Sequence, residues 1–163
     1  MNEQSTSFWK TNKKGFYVFL ASILIAIVGL LSILSVLMPA FSQGTTTYQL
    51  AIVAFGGDTP NGASFVPNLF LLVSYILVIL AFGAMILKMN EIKFIIAGVF
   101  YLGAGIMFFL TIPINDLIQN FYIDNKTLGG GPILAGTLLC FCAFGAITLY
   151  VLAKIFRKSS GGI

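Results

Sequence analysis

Four long apolar runs, separated by polar segments, dominate the pattern of this chain. They cover residues 15–38, 66–87, 94–114 and 133–153, and none of them contains Asp, Glu, Lys or Arg. An α-helix needs about 20 apolar residues to cross the hydrocarbon core of a bilayer. The pattern therefore predicts an all-α membrane protein, a bundle of four transmembrane helices built as two helical hairpins.

Proline marks the ends of the runs. If the chain crosses four times, all five prolines fall at the same end of the bundle: Pro39, Pro60, Pro67, Pro113 and Pro132. Proline is tolerated in the first turn of a helix and just past its end, but it is costly inside. The prolines therefore predict helices with defined outer ends, connected there by loops 39–65 and 115–132.

Both outer loops contain short segments that favour local structure. Tyr48–Phe55 is rich in strand-forming residues, and Phe121–Asp124 is a candidate to pair with it in a small β-element. The three glycines at 129–131 are interpreted as a flexible lead into the fourth run.

The Tyr48–Phe55 segment is apolar on both alternating faces, so it should not stand in water as a free edge. It is expected to pack over its own bundle, to lie on the membrane surface or to bind a partner. The candidate partner surface consists of Tyr48, Leu50, Ile52 and Phe55.

Small residues recur at helical spacing in three of the runs. Helices in lipid gain little from hiding apolar side chains from one another, and associate through the close packing that small residues allow. We expect these residues to face neighbouring helices of the same chain or, alternatively, a homo-oligomer interface. The candidate packing residues are Ser22, Ala26, Gly29, Gly98, Gly105, Gly136, Cys140 and Ala143.

Composition and charge agree with a membrane protein. Of the 163 residues, 58% are hydrophobic and 9% are charged, whereas soluble domains carry about 25% charged residues. Eight of the nine basic residues fall on one side of the predicted bundle: Lys10, Lys13, Lys14, Lys88, Lys93, Lys154, Arg157 and Lys158.

The positive-inside rule then predicts a multi-pass protein of the cell membrane whose tails, 1–14 and 154–163, are cytoplasmic. The net charge of +4 follows from this topology, and nucleic acid is not an expected partner.

The residues that most membrane enzymes and proton-coupled transporters use are missing from the runs. Histidine is absent and no carboxylate lies within a run, which excludes histidine-based catalysis and an intramembrane proton carrier. Cys140 and Cys142 are two positions apart and point in nearly opposite directions on a helix. Asp58, Asp116 and Asp124 are expected to be solvated. The chain is thus predicted to be no enzyme and to need no cofactor or metal.

The chain resembles a group of four-span membrane proteins of Firmicutes and Mollicutes that has no assigned activity. The resemblance lies in the basic start and in four stretches of sequence: LMPAF, YQLAIVAFGG, KFIIAGVFYLGAGIMFFLTIP and LGGGPILAGTLLCFCAFGA. It implies source and topology rather than an activity. The predicted topology, four spans with a larger first outer loop, is also similar to that of claudin-like proteins. The first outer loop lacks the tryptophan and the cysteine pair that are typical of those proteins.

Three functional hypotheses remain open at this stage. The leading one is a subunit or accessory protein that acts through contacts with another membrane protein, or with copies of itself, in the lipid bilayer. The second is a small oligomeric channel or transporter whose path is lined by Ser and Thr. The third is a membrane protein of the bacteriocin-immunity type.

Overall fold

The computed structural model describes residues 13–60, 62, 64–87, 90–119 and 126–160. Most of the predicted N-terminal tail and the whole candidate segment Phe121–Asp124 lie outside these residues. The described part contains six α-helices: α1 (Lys13–Leu31), α2 (Leu50–Phe55), α3 (Leu69–Ile86), α4 (Ile92–Phe109), α5 (Thr111–Gln119) and α6 (Gly130–Ser160). It also contains five short strands: β1 (Pro39–Gln43), β2 (Thr46–Gln49), β3 (Gly57–Asp58), β4 (Ser64–Phe65) and β5 (Lys126–Leu128).

Four helical segments in the described part are long and apolar enough to cross a membrane. They are Gly15–Leu37, Leu69–Ile86, Ile92–Phe109 and Gly130–Phe156, with mean hydropathies of 2.0–2.8. The prediction of four long apolar helices and a small β-element is therefore confirmed.

The four long helices form a closed ring. Helix α1 packs against α3 and α6, and α4 packs against the same two helices from the other side. Because successive long helices alternate in direction, the strands gather at one end of the ring, here called the cap end. The cap is the structure built there by β1–β5 and α2.

The helix ends follow the proline positions with one difference. Helix α1 continues as a 3-10 helix over Ser32–Leu37 before β1 begins at Pro39. The third predicted run extends to residue 114, whereas helix α4 ends at Phe109 and α5 carries Pro113 in its first turn. Proline lacks an N–H group, and the first turn of a helix is where that loss costs least.

Close contacts at small residues hold the ring together. Gly29 of α1 faces Tyr101 of α4, where an added Cβ would lie 2.5 Å from the tyrosine ring. Gly105 lies against the backbone of Gly136, where an added Cβ would be 3.2 Å from the carbonyl oxygen. Glycine at these positions lets the helix backbones approach more closely than any larger residue would.

The other candidate packing residues also lie between helices or in the core. Ser22, Ala26 and Ala143 are buried, and Gly98 lies beside Ile147 and the Ala143 carbonyl. Cys140 is half-buried, with its Sγ next to Gly105. The structure thus places the set within the chain's own bundle.

We expect Gly29→Ala to destabilise the bundle more than Gly83→Ala. Both changes give the helix the same gain in propensity, about 1 kcal/mol, but an added Cβ at Gly83 meets nothing within 4 Å. Tyr101 is fully buried and cannot swing aside, so overpacking at Gly29 should cost about 1–3 kcal/mol. Thermal unfolding in detergent measures the difference, and equal melting temperatures for the two variants would contradict this packing.

Candidate functional site: the cap at one end of the bundle

The cap is a three-stranded antiparallel sheet drawn from both connecting loops. Strand order is β2-β1-β5, with Phe41 opposite Tyr48 in β2 and opposite Leu128 in β5. The sequence predicts that the second loop pairs with Tyr48–Phe55, whereas in the structure its strand β5 pairs with β1, and β2 lies on the other side of β1. The strand from the second loop is Lys126–Leu128, and the candidate segment Phe121–Asp124 lies outside the described residues.

The prediction of strand character through Tyr48–Phe55 is correct for Tyr48 and Gln49 and wrong for the other six residues. Strand β2 ends at Gln49, and Leu50–Phe55 forms the short helix α2. Leu50, Val53 and Ala54 are buried, and their spacing of three and four places them on one face of a helix. Burial of this face against the bundle outweighs the strand propensity of the segment.

The four residues of the candidate partner surface therefore differ in exposure. Leu50 is fully buried, and packs in the core instead of facing a partner. Tyr48 and Ile52 are half-buried. Phe55 is 58% exposed, and one side of its ring stacks on Tyr75 at 6.3 Å between centroids.

Strand β1 is the centre of the cap. Phe41 is 1% exposed, and its ring contacts those of Tyr48 and Phe65, with centroids 5.0 and 6.2 Å away. Gly129 donates a backbone hydrogen bond to the Ala40 carbonyl at 2.8 Å, and a Cβ on it would collide with Pro39. The interpretation of the three glycines as only a flexible lead is therefore incomplete, because Gly129 packs directly on β1.

A part-buried ion pair links β5 to α5. The Lys126 ammonium donates to Asp116 Oδ1, with the two side chains 4% and 16% exposed. The Lys126 nitrogen also lies 5.4 Å from the centre of the Phe41 ring. The expectation that Asp116 is merely solvated is wrong, because the cap brings the one basic residue of the outer loops to it.

A shallow groove runs beside β2. It has a volume of about 200 Å³ and is lined by Thr46, Thr47, Tyr48, Gln49, Ile52, Thr59 and Pro60. Small-molecule sites usually enclose about 300–1,000 Å³, so the groove is below the size of an ordinary substrate pocket. None of these seven lining residues is charged.

The sequence analysis does not predict the β1–β2 hairpin, whose strand β2 lines this groove, although the sequence contains a signal for it. Gly44 and Thr45 connect β1 to β2 as a two-residue turn, and Gly44 has a positive φ of 56°. Glycine at such a position between strand-forming residues is a strong hairpin signal.

Several Ser and Thr hydroxyls in or next to the long helices donate hydrogen bonds to nearby backbone carbonyls. Ser32, Ser74 and Thr148 donate to carbonyls three or four residues earlier, at 2.6–2.9 Å, and Ser22 and Thr111 do the same. Among the residues that the structure describes, no group of three His, Cys, Asp or Glu side chains could hold a metal ion.

Comparison with known proteins found no matching family model and no matching curated sequence. What the chain does is therefore inferred from the geometry of its own residues.

We expect Asp116→Asn to loosen the cap, because it leaves the buried Lys126 ammonium without a counter-charge. A hydrogen bond to a charged group is typically worth about 1.5–3 kcal/mol. Hydrogen exchange of the β1 and β5 amides should become faster, while exchange in α4 stays slow. The double variant Asp116→Asn, Lys126→Met removes the stranded charge and should recover most of the protection. A cap that is equally protected in the single variant and the wild type would contradict the role of this pair.

Proposed function

We propose that this chain is a non-enzymatic integral membrane protein that acts through protein contacts made by its cap, as a subunit or accessory of a membrane complex. Its four long helices would anchor it in the cell membrane. The observation that carries the proposal is that strands from both outer loops form one sheet, which a part-buried ion pair links to α5 and which β1 fixes to the bundle. A chain that only had to span lipid would need no such structure.

The groove beside β2 supports a polypeptide as the partner. Strand β2 is at the edge of the sheet, so one row of its backbone N–H and C=O groups lies outside the ladder. Such an edge accepts another chain by strand addition. The groove has no charged lining and is small for a substrate, which favours a backbone contact over a small-molecule site.

The distribution of basic residues supports an orientation with the cap outside the cell. Lys93 lies in the first turn of α4, and Lys154 near the end of α6, both at the end of the bundle opposite the cap. Lys126, on the cap side, is neutralised by Asp116. Most of the basic residues are therefore at the end opposite the cap, which the positive-inside rule assigns to the cytoplasm.

A channel or transporter remains the second candidate, but the hydroxyl geometry favours it less. A path lined by Ser and Thr needs free hydroxyls, and the five named above already bond to backbone carbonyls three or four residues earlier in the chain. Flux of ions or solutes into liposomes that contain the purified protein would distinguish this candidate from the first. The bacteriocin-immunity hypothesis is a special case of action through protein contacts, and no feature of the cap selects it.

The proposal predicts a specific cross-link from the groove. A benzoylphenylalanine placed at Thr47, an exposed position in β2, should form a discrete protein adduct when native membranes are illuminated. The adduct should disappear when Ile52→Asp puts a charge into the groove.

The matched control is the same cross-linker at Phe144, which is 68% exposed on α6 and outside the cap. It should yield lipid adducts and not the adduct seen at position 47. The proposal is contradicted if the cross-linker at position 47 forms lipid adducts and no protein adduct, and if mild detergent releases a monomer without a partner.

A further inference from the structure

Exposed apolar residues gather where the cap meets the start of α3. Phe55, Val66, Leu69 and Leu117 are each between 58% and 74% exposed, and are here called the collar. They come from three separate segments of the chain, which are the end of α2, the entry into α3 and the helix α5. Exposed apolar residues that cluster in this way mark a contact with lipid or with another protein.

Hydrogen bonds hold the three segments of the collar together. The Asn68 N–H donates to the Ala54 carbonyl at 3.1 Å, so α2 ends beside the start of α3. The Gln119 side-chain amide donates to the Val66 carbonyl at 2.9 Å and accepts from the Val66 N–H at 3.3 Å, so α5 ends beside the same stretch. The collar residues therefore lie together around the start of α3.

Helix α5 turns apolar residues outward and polar residues inward. Its exposed residues are Pro113 and Leu117. Asp116 pairs with Lys126 of the cap, and Gln119 bonds to the chain before α3. A helix with one apolar face and one polar face is suited to lie at a membrane surface, with its apolar face about 5–10 Å into the boundary between headgroups and acyl chains.

The lengths of the helices favour lipid as the occupant of the collar. Helices α3 and α4 are 18 residues long, which corresponds to about 27 Å at a rise of about 1.5 Å per residue. The hydrocarbon core of a bilayer is about 30 Å thick, so each helix is about 3 Å too short to cross it alone. A short span needs flanking apolar residues, or the bilayer around it must become thinner.

The cap end supplies apolar residues for the missing length, whereas the opposite end is polar. In the turn between α3 and α4, Asn90 is exposed, and the Lys93 ammonium donates to two backbone carbonyls at the end of α3, at 3.1 Å each. At the cap end the collar comes first. The exposed carboxylate of Asp58 lies one residue beyond it, since β3 pairs Gly57 with Phe65 and Asp58 with the residue before Phe65. The collar is thus placed between the hydrocarbon core and the first charge on this side of the cap.

We propose that the collar binds lipid of the outer leaflet, at the boundary between headgroups and acyl chains, and that α2 and α5 thereby hold the cap against the membrane surface. This rests on the proposed function in one respect, namely that the four long helices lie in a bilayer. It adds that lipid covers the side of the cap that carries Phe55 and Leu117. The β2 edge and the exposed residues Thr47 and Thr127 are then left for a protein partner.

Tryptophan fluorescence of the full chain in phosphatidylcholine vesicles measures the depth of the collar. The variant Trp9→Phe removes the only tryptophan, and Leu117→Trp or Phe55→Trp then introduces a single one. Lipids with bromine near the headgroup end of their acyl chains should quench both tryptophans more than lipids with bromine near the chain ends. Iodide on both sides of the membrane should quench both several-fold less than it quenches the control Thr47→Trp, an exposed position in β2.

A second control, Phe144→Trp, separates this proposal from the proposed function. Phe144 is exposed near the middle of the Gly130–Phe156 segment, so bromine near the chain ends should quench it most. If lipid quenches position 144 while iodide quenches positions 55 and 117 as strongly as position 47, the helices lie in the bilayer and the collar proposal alone is overturned. If brominated lipid quenches none of these positions, both proposals fail. If neither quencher reaches positions 55 and 117, a second copy of the chain covers the collar, and the lipid proposal is again overturned.

Discussion

The rest of the structure depends on the close approach of the long helices at glycine. If the helices lie in lipid, as proposed, no hydrophobic force presses them together, so the contact must come from packing. Gly29 under the Tyr101 ring sets the distance from α4 to α1 across the ring, and Gly105 against the Gly136 backbone sets the distance from α4 to its neighbour α6. With that distance set, the ring closes and each helix end has a defined position.

The cap is a consequence of the same constraint. Helix α6 begins close to the end of α1, where Gly131 would place a Cβ 3.0 Å from the Ser35 carbonyl and Gly129 bonds to β1. The second outer loop therefore ends beside the point where the first one begins, and the two loops can share a sheet. Lys126 then reaches Asp116 across the cap, and the Phe41 ring is enclosed by Tyr48, Phe65 and the lysine.

Features that repeat along the chain could be predicted, and features that depend on distant contacts could not. The apolar runs and the small residues within them are periodic, so they indicated the long helices and the positions between them. The helix at Leu50–Phe55 was missed because its segment has strand propensity and only the bundle beneath it selects the helical face. Similarly, no local sequence pattern encodes the Lys126–Asp116 ion pair. The same is true of the two hydrogen bonds between the Gln119 side-chain amide and the Val66 backbone.

The central claim is that the four helices cross the membrane and hold the cap on its outer side. Single cysteines at Thr47 in the cap and at Asn90 in the turn between α3 and α4 test it, since both positions are exposed. In intact cells a membrane-impermeant maleimide should label position 47 and should label position 90 only after permeabilisation. Labelling of both positions in intact cells, or of position 90 alone, would contradict the account.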